Sequence, residues 1–269
     1  MRLGRIASPD GVAFVSIEGD GDAATAREIA EHPFGTPTFT GRSWPLADTR
    51  LLAPILASKV ICIGKNYMAH VQEMAGDEAT RSSTSGAVEA PENPVIFIKP
   101  NTSIIGPQAP ILRPKSSNRV DFEGELAIVI GQPCRDVKAA KAKDVILGYT
   151  IGNDVTARDQ QKADGQWTRG KGYDSFCPLG PWIETDLDPA DLEIRTELGG
   201  EVKQRSRTSL MLHDVGEIVE WISAVMTLLP GDVILTGTPE GIGPMAAGDT
   251  VSVTIEGIGT LTNPVADRG

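Results

Sequence analysis

The sequence predicts a β-rich α+β fold with few helices, and three observations carry that expectation. Glycine (29) and proline (19) are both plentiful in the 269 residues, which favours turns over long helices. Short apolar runs of strand length recur from Val60–Gly64 to Val251–Ile255. One stretch alone, from about Leu212 to Leu229, repeats apolar residues at the three-and-four spacing of a helix.

The elements follow in order. Arg2–Ala7 and Val12–Ile17 read as two strands joined by Ser8-Pro9-Asp10-Gly11, where Pro presets φ and Gly supplies a positive one. Residues 31–53 read as loop, rich in Pro, Gly and Thr, so residues 1–53 are expected to form a small N-terminal β domain ahead of a main domain from Pro54 to Gly269. Val60–Gly64 is a short buried strand, and Asn66–Met74 is expected to make one or two helical turns. Ala75–Asn93 is small, polar and acidic without an apolar period, which predicts a mobile segment and, given what precedes it, a lid. Val95–Lys99, Val120–Ile130 and Val145–Gly152 are strands; Leu192–Leu198 and Glu201–Ser206 form a hairpin about Gly199-Gly200. In the helix, Val215, Ile218, Val219, Ile222, Val225, Met226 and Leu229 are assigned to the core, with Asp214 at its start and Pro230-Gly231-Asp232 as its stop. Val233–Leu235 and the alternating Val251, Val253 and Ile255 complete the strands.

Composition narrows function. Hydrophobic residues at 40% and charged residues at 23% describe an ordinary globular chain. A net charge of −11 argues against nucleic-acid binding, which needs a basic face. It leaves an anionic substrate open, because a bound cation with local Lys and Arg inverts the field around it. Cys62, Cys134 and Cys177 are odd in number and widely spaced, so they read as buried hydrophobes in a reducing compartment rather than a disulfide or zinc framework. No run approaches a membrane span and the first residues lack a signal-peptide core, so a cytoplasmic location is expected.

Asp121-Phe122-Glu123-Gly124-Glu125-Leu126 is the most informative stretch. Alternation along a strand points Glu123 and Glu125 the same way, and the chain then runs into a wholly apolar segment. Two ionised carboxylates entering a core cost several kcal/mol, as an order of magnitude, unless a cation, basic partners or a shared proton offsets them. Asn153-Asp154 ends a second apolar run, bringing a third carboxylate. Three oxygen ligands without Cys or His favour a hard ion, Mg²⁺, Mn²⁺ or Ca²⁺. A strand reaching the surface with two solvated glutamates is the alternative. His70 and Glu73 lie three apart on a helical turn, the spacing by which a carboxylate orients a basic imidazole; a surface pair is the alternative there. Lys171 sits among glycines, either to neutralise the carboxylates or as a solvated loop lysine. Thr236–Gly243 is a glycine-rich turn that lacks the Walker spacing and lysine but can present backbone N–H groups to an anion.

Six segments together resemble the fumarylacetoacetate hydrolase family. They are Ile63-Gly64-Lys65-Asn66-Tyr67 with His70 and Glu73, Pro94–Pro100, Asp121–Leu126, Gly152–Asp159, Lys171–Pro181 and Leu235–Gly243, in the family's order from about Pro54 onward. The N-terminal unit resembles the small extra domain of some bacterial members. The resemblance implies a mixed β-roll and a homodimer. It implies Mg²⁺ or Mn²⁺, with Ca²⁺ open, held by Glu123, Glu125 and Asp154. It implies catalytic roles for His70, Glu73 and Lys171, and substrate contacts from Gln161, Thr238, Tyr67 and Arg158. The implied substrate is a 2-oxo or 2,4-dioxo acid reacting as a metal-bound enolate, by C–C hydrolysis as in an acylpyruvase or by decarboxylation. A 2-hydroxyhepta-2,4-diene-1,7-dioate isomerase of aromatic catabolism is the other enzymatic reading. A non-catalytic binding module stabilised by a structural Ca²⁺ is the reading of another class.

Overall fold

The computed structural model describes residues 1–76 and 89–269. In chain order the strands are β1 (Arg2–Ser8), β2 (Gly11–Glu18), β3 (Thr25–Ile29), β4 (Phe39–Pro45), β5 (Arg50–Leu51), β6 (Val60–Gly64) and β7 (Val95–Lys99). There follow β8 (Ile104–Ile105), β9 (Ile111–Arg113), β10 (Val120–Phe122), β11 (Gly124–Ile130), β12 (Ile146–Asn153), β13 (Thr156–Ala157) and β14 (Cys177–Glu184). The last are β15 (Glu193–Leu198), β16 (Glu201–Arg207), β17 (Val233–Leu235), β18 (Gly243–Pro244), β19 (Thr250–Ile255) and β20 (Gly259–Asp267). Four α-helices are described: α1 (Met68–Gly76), α2 (Arg158–Asp164), α3 (Thr168–Lys171) and α4 (Val215–Val225). The fold is strand-rich with mixed sheets, as the turn-rich composition predicts.

The largest sheet runs β4-β3-β2-β1-β14-β12-β11-β17-β6-β7, with β5 and β8 attached beside it. Most neighbours are antiparallel, while β17 and β6 pair parallel. The N-terminal strands continue this sheet, since Arg2 and Leu3 pair with Glu184 and Ile183. A second sheet, β16-β15-β19-β20-β9, packs on one face of the first, and β13-β10-β18 form a third.

Strand β11 is buried along its whole length, so both of its faces are core. Leu126, Ile128 and Ile130 meet α4 and the second sheet through Ile218, Ile222, Ile194 and Val253. Ala127 and Val129 meet Cys62, Leu179, Val233 and Ile55 on the opposite face. Glu123 and Glu125 share the parity of Ala127 and Val129, so the carboxylates stand at the end of that second apolar layer.

Three expectations are corrected. Val120–Ile130 is two strands, because the chain leaves the third sheet at Glu123 and enters the main one at Gly124. At that break the Glu123 N–H bonds the Asn153 side chain instead of a ladder carbonyl (2.9 Å). Residues 31–53 contain β4 and β5; β4 is almost wholly exposed and has no apolar alternation to reveal it. It is held by pairing with β3, by the Arg42–Glu28 ion pair (2.5 Å) and by Arg27 stacked 4.3 Å over Phe39. The amphipathic helix stops at Val225, which is 63% exposed, and Leu229 is 43% exposed, because Leu228 turns away to pair with the backbone of Cys134. The expected lid over Ala75–Asn93 falls mainly on residues 77–88, outside the described residues.

Candidate metal centre and active site

The centre is assembled where β11 and β12 leave the core. Their register sets Gly124 opposite Asn153 and Glu125 opposite Gly152, which puts Asp154 beside Glu123; the Asp154 N–H bonds the Glu123 carbonyl (2.8 Å). Gly124 is required here by close approach. A Cβ on it would lie 2.3 Å from Thr196 Oγ1 and 2.9 Å from Val253 Cγ1 on the second sheet. The small residue seats the sheets together and turns both glutamates to the other side. One carboxylate oxygen each from Glu123, Glu125 and Asp154 lies within 4.8 Å of the others, and all three residues are buried.

The three carboxylates have unequal company. Glu123 accepts from Arg158 Nη2 on one oxygen and from Lys171 Nζ on the other (2.8 Å). Asp154 accepts from Lys99 Nζ (2.6 Å) and Lys171 Nζ (2.6 Å). Glu125 accepts the Gly237 N–H (2.6 Å), and among the described residues no lysine or arginine forms an ion pair with it. The electrostatics follow from this. Burial raises the Glu123 pKa, but Lys171, Arg158 and His70 outweigh it and hold the carboxyl well below its usual range. Burial, Asp154 and Glu123 together push Glu125 well above that range. Burial depresses the Lys171 ammonium, and the Asp154 and Glu123 charges more than restore it.

Glu125 therefore faces two carboxylates in a buried site, with the Gly237 N–H as its hydrogen-bond donor. That is the condition a hard divalent cation relieves, and the all-oxygen donor set suits Mg²⁺, Mn²⁺ or Ca²⁺. The residues present fit such an ion.

Around this triad, α1 carries His70 and Glu73, with His70 Nδ1 3.1 Å from Glu73 Oε2. The other Glu73 oxygen accepts the Gly241 N–H (3.0 Å). The glycine-rich turn thus presents backbone donors to anions, and those anions are the chain's own Glu125 and Glu73. Lys171 is buried at the end of α3, not solvated. Arg158 is buried too, bonding Asp121 (3.0 Å), Glu123 and the Gln161 Oε1 (2.7 Å). Tyr67 is buried, and burial with the Glu125 and Glu240 charges pushes its phenol up. The Thr238 hydroxyl donates to the Gly124 carbonyl (2.9 Å) and accepts from Gln204 (2.8 Å), so it is engaged within the fold.

Sequence reasoning missed four contributors. Lys99 is fully buried on Asp154 and the Val155 carbonyl. Its signal was present: a lysine closing an apolar strand must find a carboxylate. Asp121 shares the parity of Glu123 and Glu125 and fixes Arg158 and Arg119. Asn153 holds the Glu123 N–H, and Gln204 holds that of Gly124 (3.0 Å). Nothing local to Gln204 in sequence announces the last.

No described helix is long and apolar enough to cross a membrane. Residues 59–266 match the fumarylacetoacetate (FAA) hydrolase C-terminal family, and residues 1–54 match the Rv2993c-like N-terminal family. A crystal structure of 2-hydroxyhepta-2,4-diene-1,7-dioate isomerase from Mycobacterium marinum is 70% identical, covers 100% of this chain and 99% of its own, and superposes with a TM-score of 0.90. The mitochondrial oxaloacetate tautomerase Fahd2a of Rattus norvegicus is 39% identical over 233 residues, 82% of this chain and 71% of its own. Maleylpyruvate hydrolase from Sphingobium sp. SYK-6, solved with manganese (II) ion and pyruvate, is 29% identical, covers 100% of both chains and has a TM-score of 0.78. The chain belongs to the fumarylacetoacetate hydrolase family.

Proposed function

We propose that this protein is a divalent-metal-dependent enzyme that acts on 2-oxo or 2,4-dioxo acids through an enolate, with C–C hydrolysis or decarboxylation as the outcome. The observation that carries the reading is the buried Glu123–Glu125–Asp154 triad, in which Glu125 pairs with no lysine or arginine among the described residues while an imidazole–carboxylate pair stands nearby. Bound there, the ion would supply Lewis-acid stabilisation of the negative charge that develops on the 2-oxo acid.

The chain's own groups supply the rest. Glu73 on Nδ1 favours the tautomer that carries its proton there and leaves Nε2 to take one from water or substrate. Gly241 anchors Glu73, so the imidazole is oriented through two bonds before substrate arrives. Lys171 holds a permanent positive charge against the triad, suited to an anionic substrate in an acidic protein. Arg158 fixes Glu123 and Gln161 together, so Gln161 has a defined place from which to meet the substrate.

A second reading, isomerisation or tautomerisation, uses the same centre without water attack. The similarity to an isomerase and a tautomerase favours it. A turnover panel with Mg²⁺ or Mn²⁺ separates the readings. Acylpyruvates, oxaloacetate and 2-hydroxyhepta-2,4-diene-1,7-dioate are compared by enol absorbance and product identity. Cleaved or decarboxylated products support the first reading, and a double-bond or keto–enol shift alone supports the second. Inactivity on all three substrates removes both while leaving the metal site standing.

A further inference from the structure

Every oxygen of Glu123 and Asp154 is already bonded by one of the chain's own cations. Three cations share this work, and they are not equivalent. Arg158 is also locked to Asp121 and Gln161, and Lys99 is also tied to the Val155 carbonyl. Among the described residues, Lys171 Nζ has its two hydrogen-bond partners within the triad, at 2.8 Å and 2.6 Å, and it alone bridges two members. A dication drawn to the same oxygens would stand within a few ångströms of that ammonium, in a buried site where like charges repel more strongly than in water.

The ammonium has a second neighbour. The Phe97 ring centroid is 5.0 Å from Lys171 Nζ, inside cation–π range. Phe97 is fixed in turn by Trp167, edge-on at 5.1 Å. Trp167 packs so tightly on Gly64 that a Cβ there would lie 2.7 Å from its ring. Phe97 and Lys99 share one face of β7, so the strand that pins Asp154 also presents the ring.

We propose that the Lys171 ammonium and a divalent ion would compete for the same carboxylate oxygens of Glu123 and Asp154, and that Phe97 is the positioning residue that holds the ammonium beside the site. The inference rests on the metal reading above. It requires Lys171 and the ion to compete, whereas Lys99 keeps Asp154 aimed throughout.

Mn²⁺ binding to the full chain, followed by electron paramagnetic resonance without substrate, tests this. Melting without metal is recorded for each variant. Lys171→Met is expected to bind Mn²⁺ about tenfold tighter or more, the size of a charge-assisted hydrogen bond no longer broken. Lys99→Met removes an equal charge from the same carboxylate and is expected to bind no tighter than the parent. Equal tightening in both variants would mean that charge alone matters and overturns the proposal, as does unchanged or weaker binding in Lys171→Met. Phe97→Leu is expected to weaken Mn²⁺ binding several-fold at unchanged Tm, with recovery in Phe97→Tyr, which keeps the ring. If Lys171→Met or Lys99→Met fails to fold, the Phe97 pair decides: Mn²⁺ affinity indifferent to the ring sinks the proposal. Absence of Mn²⁺ binding in the parent chain removes the metal site itself, and this inference with it.

Discussion

The sheet of β15, β16, β19 and β20 and the carboxylate centre touch each other at Gly124, yet different forces hold them. In the sheet, Val251, Val253 and Ile255 alternate inward and Gly199-Gly200 closes the hairpin with positive φ at both positions. Each of these apolar residues loses water and gains apolar contacts, so truncating one costs only its own burial. In the centre, Asp121, Glu123 and Asp154 stand against Lys99, Lys171 and Arg158. There each charge is tolerable only because another is in place, so removing one partner strands the rest. The apolar region degrades gradually, and the charged one fails as a unit.

The sharpest way to break that contrast is Glu123→Ala set beside Ile255→Val. The first leaves Arg158 and Lys171 short of a buried partner and is expected to cost about 3–5 kcal/mol, with turnover per folded molecule falling to background. The second deletes one methylene from a buried position and is expected to cost about 0.5–1.5 kcal/mol. Urea denaturation monitored by fluorescence measures both. Similar losses would show that the carboxylate is no more interdependent than an apolar side chain. A Glu123→Ala protein that unfolds but keeps its activity per folded molecule would remove Glu123 from the chemistry.

Gly124→Ala joins the two regions. Its new methyl group meets Thr196 and Val253, and a contact of 2.3 Å forces the sheets apart. The expected cost is about 1–3 kcal/mol, together with weaker Mn²⁺ binding because Glu123 and Glu125 flank the displaced residue. A stability loss with intact Mn²⁺ affinity would show that the second sheet does not aim the carboxylates.

Glu125→Gln probes, through pH, the carboxylate that pairs with no lysine or arginine among the described residues. The folded-state pKa of Glu125 is raised, so between the unfolded value of about 4.3 and that higher value the folded chain holds a proton that the unfolded chain has released. Metal-free stability contributed by this group therefore falls as pH rises through that window, with a slope approaching about 1.4 kcal/mol per pH unit. The Gln variant is expected to lose this slope and also the Tm increase on adding Mn²⁺. Parallel pH profiles in variant and parent would mean that Glu125 is relieved by a partner of its own.

The same contrast explains what could be read in advance. Strand parity alone put Glu123 and Glu125 on one side, and an apolar run alone delivered Asp154 to the end of β12; the fold brings all three together. Those inferences needed only local periodicity. Lys99 on Asp154 and Gln204 on the Gly124 N–H join residues 55 and 80 positions apart, and no periodicity encodes such a pairing. The break at Glu123 was hidden for the same reason, because Asn153 across the sheet supplies the bond that the ladder lacks. Strand β4 was hidden by exposure, since pairing and surface charge hold it without an apolar face.

The smallest expected effect belongs to the helix, where local rules are at their most complete. Asp214 caps α4 in a reciprocal box: its carboxylate accepts the Glu217 N–H (2.9 Å), and the Glu217 side chain accepts the Asp214 N–H (3.1 Å). Behind it, Ile218, Val219 and Ile222 lock the helix into the core. Asp214→Ala removes one side-chain acceptor from an exposed helix start and is expected to cost about 1 kcal/mol. The anchoring residues remain, so the helix should persist and only its first turn should fray. His213 precedes the cap, and its N–H bonds Asn66 Oδ1 (2.8 Å), while Asn66 stands just ahead of α1. A cap that acted only locally would leave that bond, and hence the His70–Glu73 pair, undisturbed. Turnover should then match the parent while Tm falls slightly. A loss of turnover larger than the loss of folded protein would show that α4 aims the imidazole through Asn66, and that the separation between locally and mutually held regions does not extend to this helix.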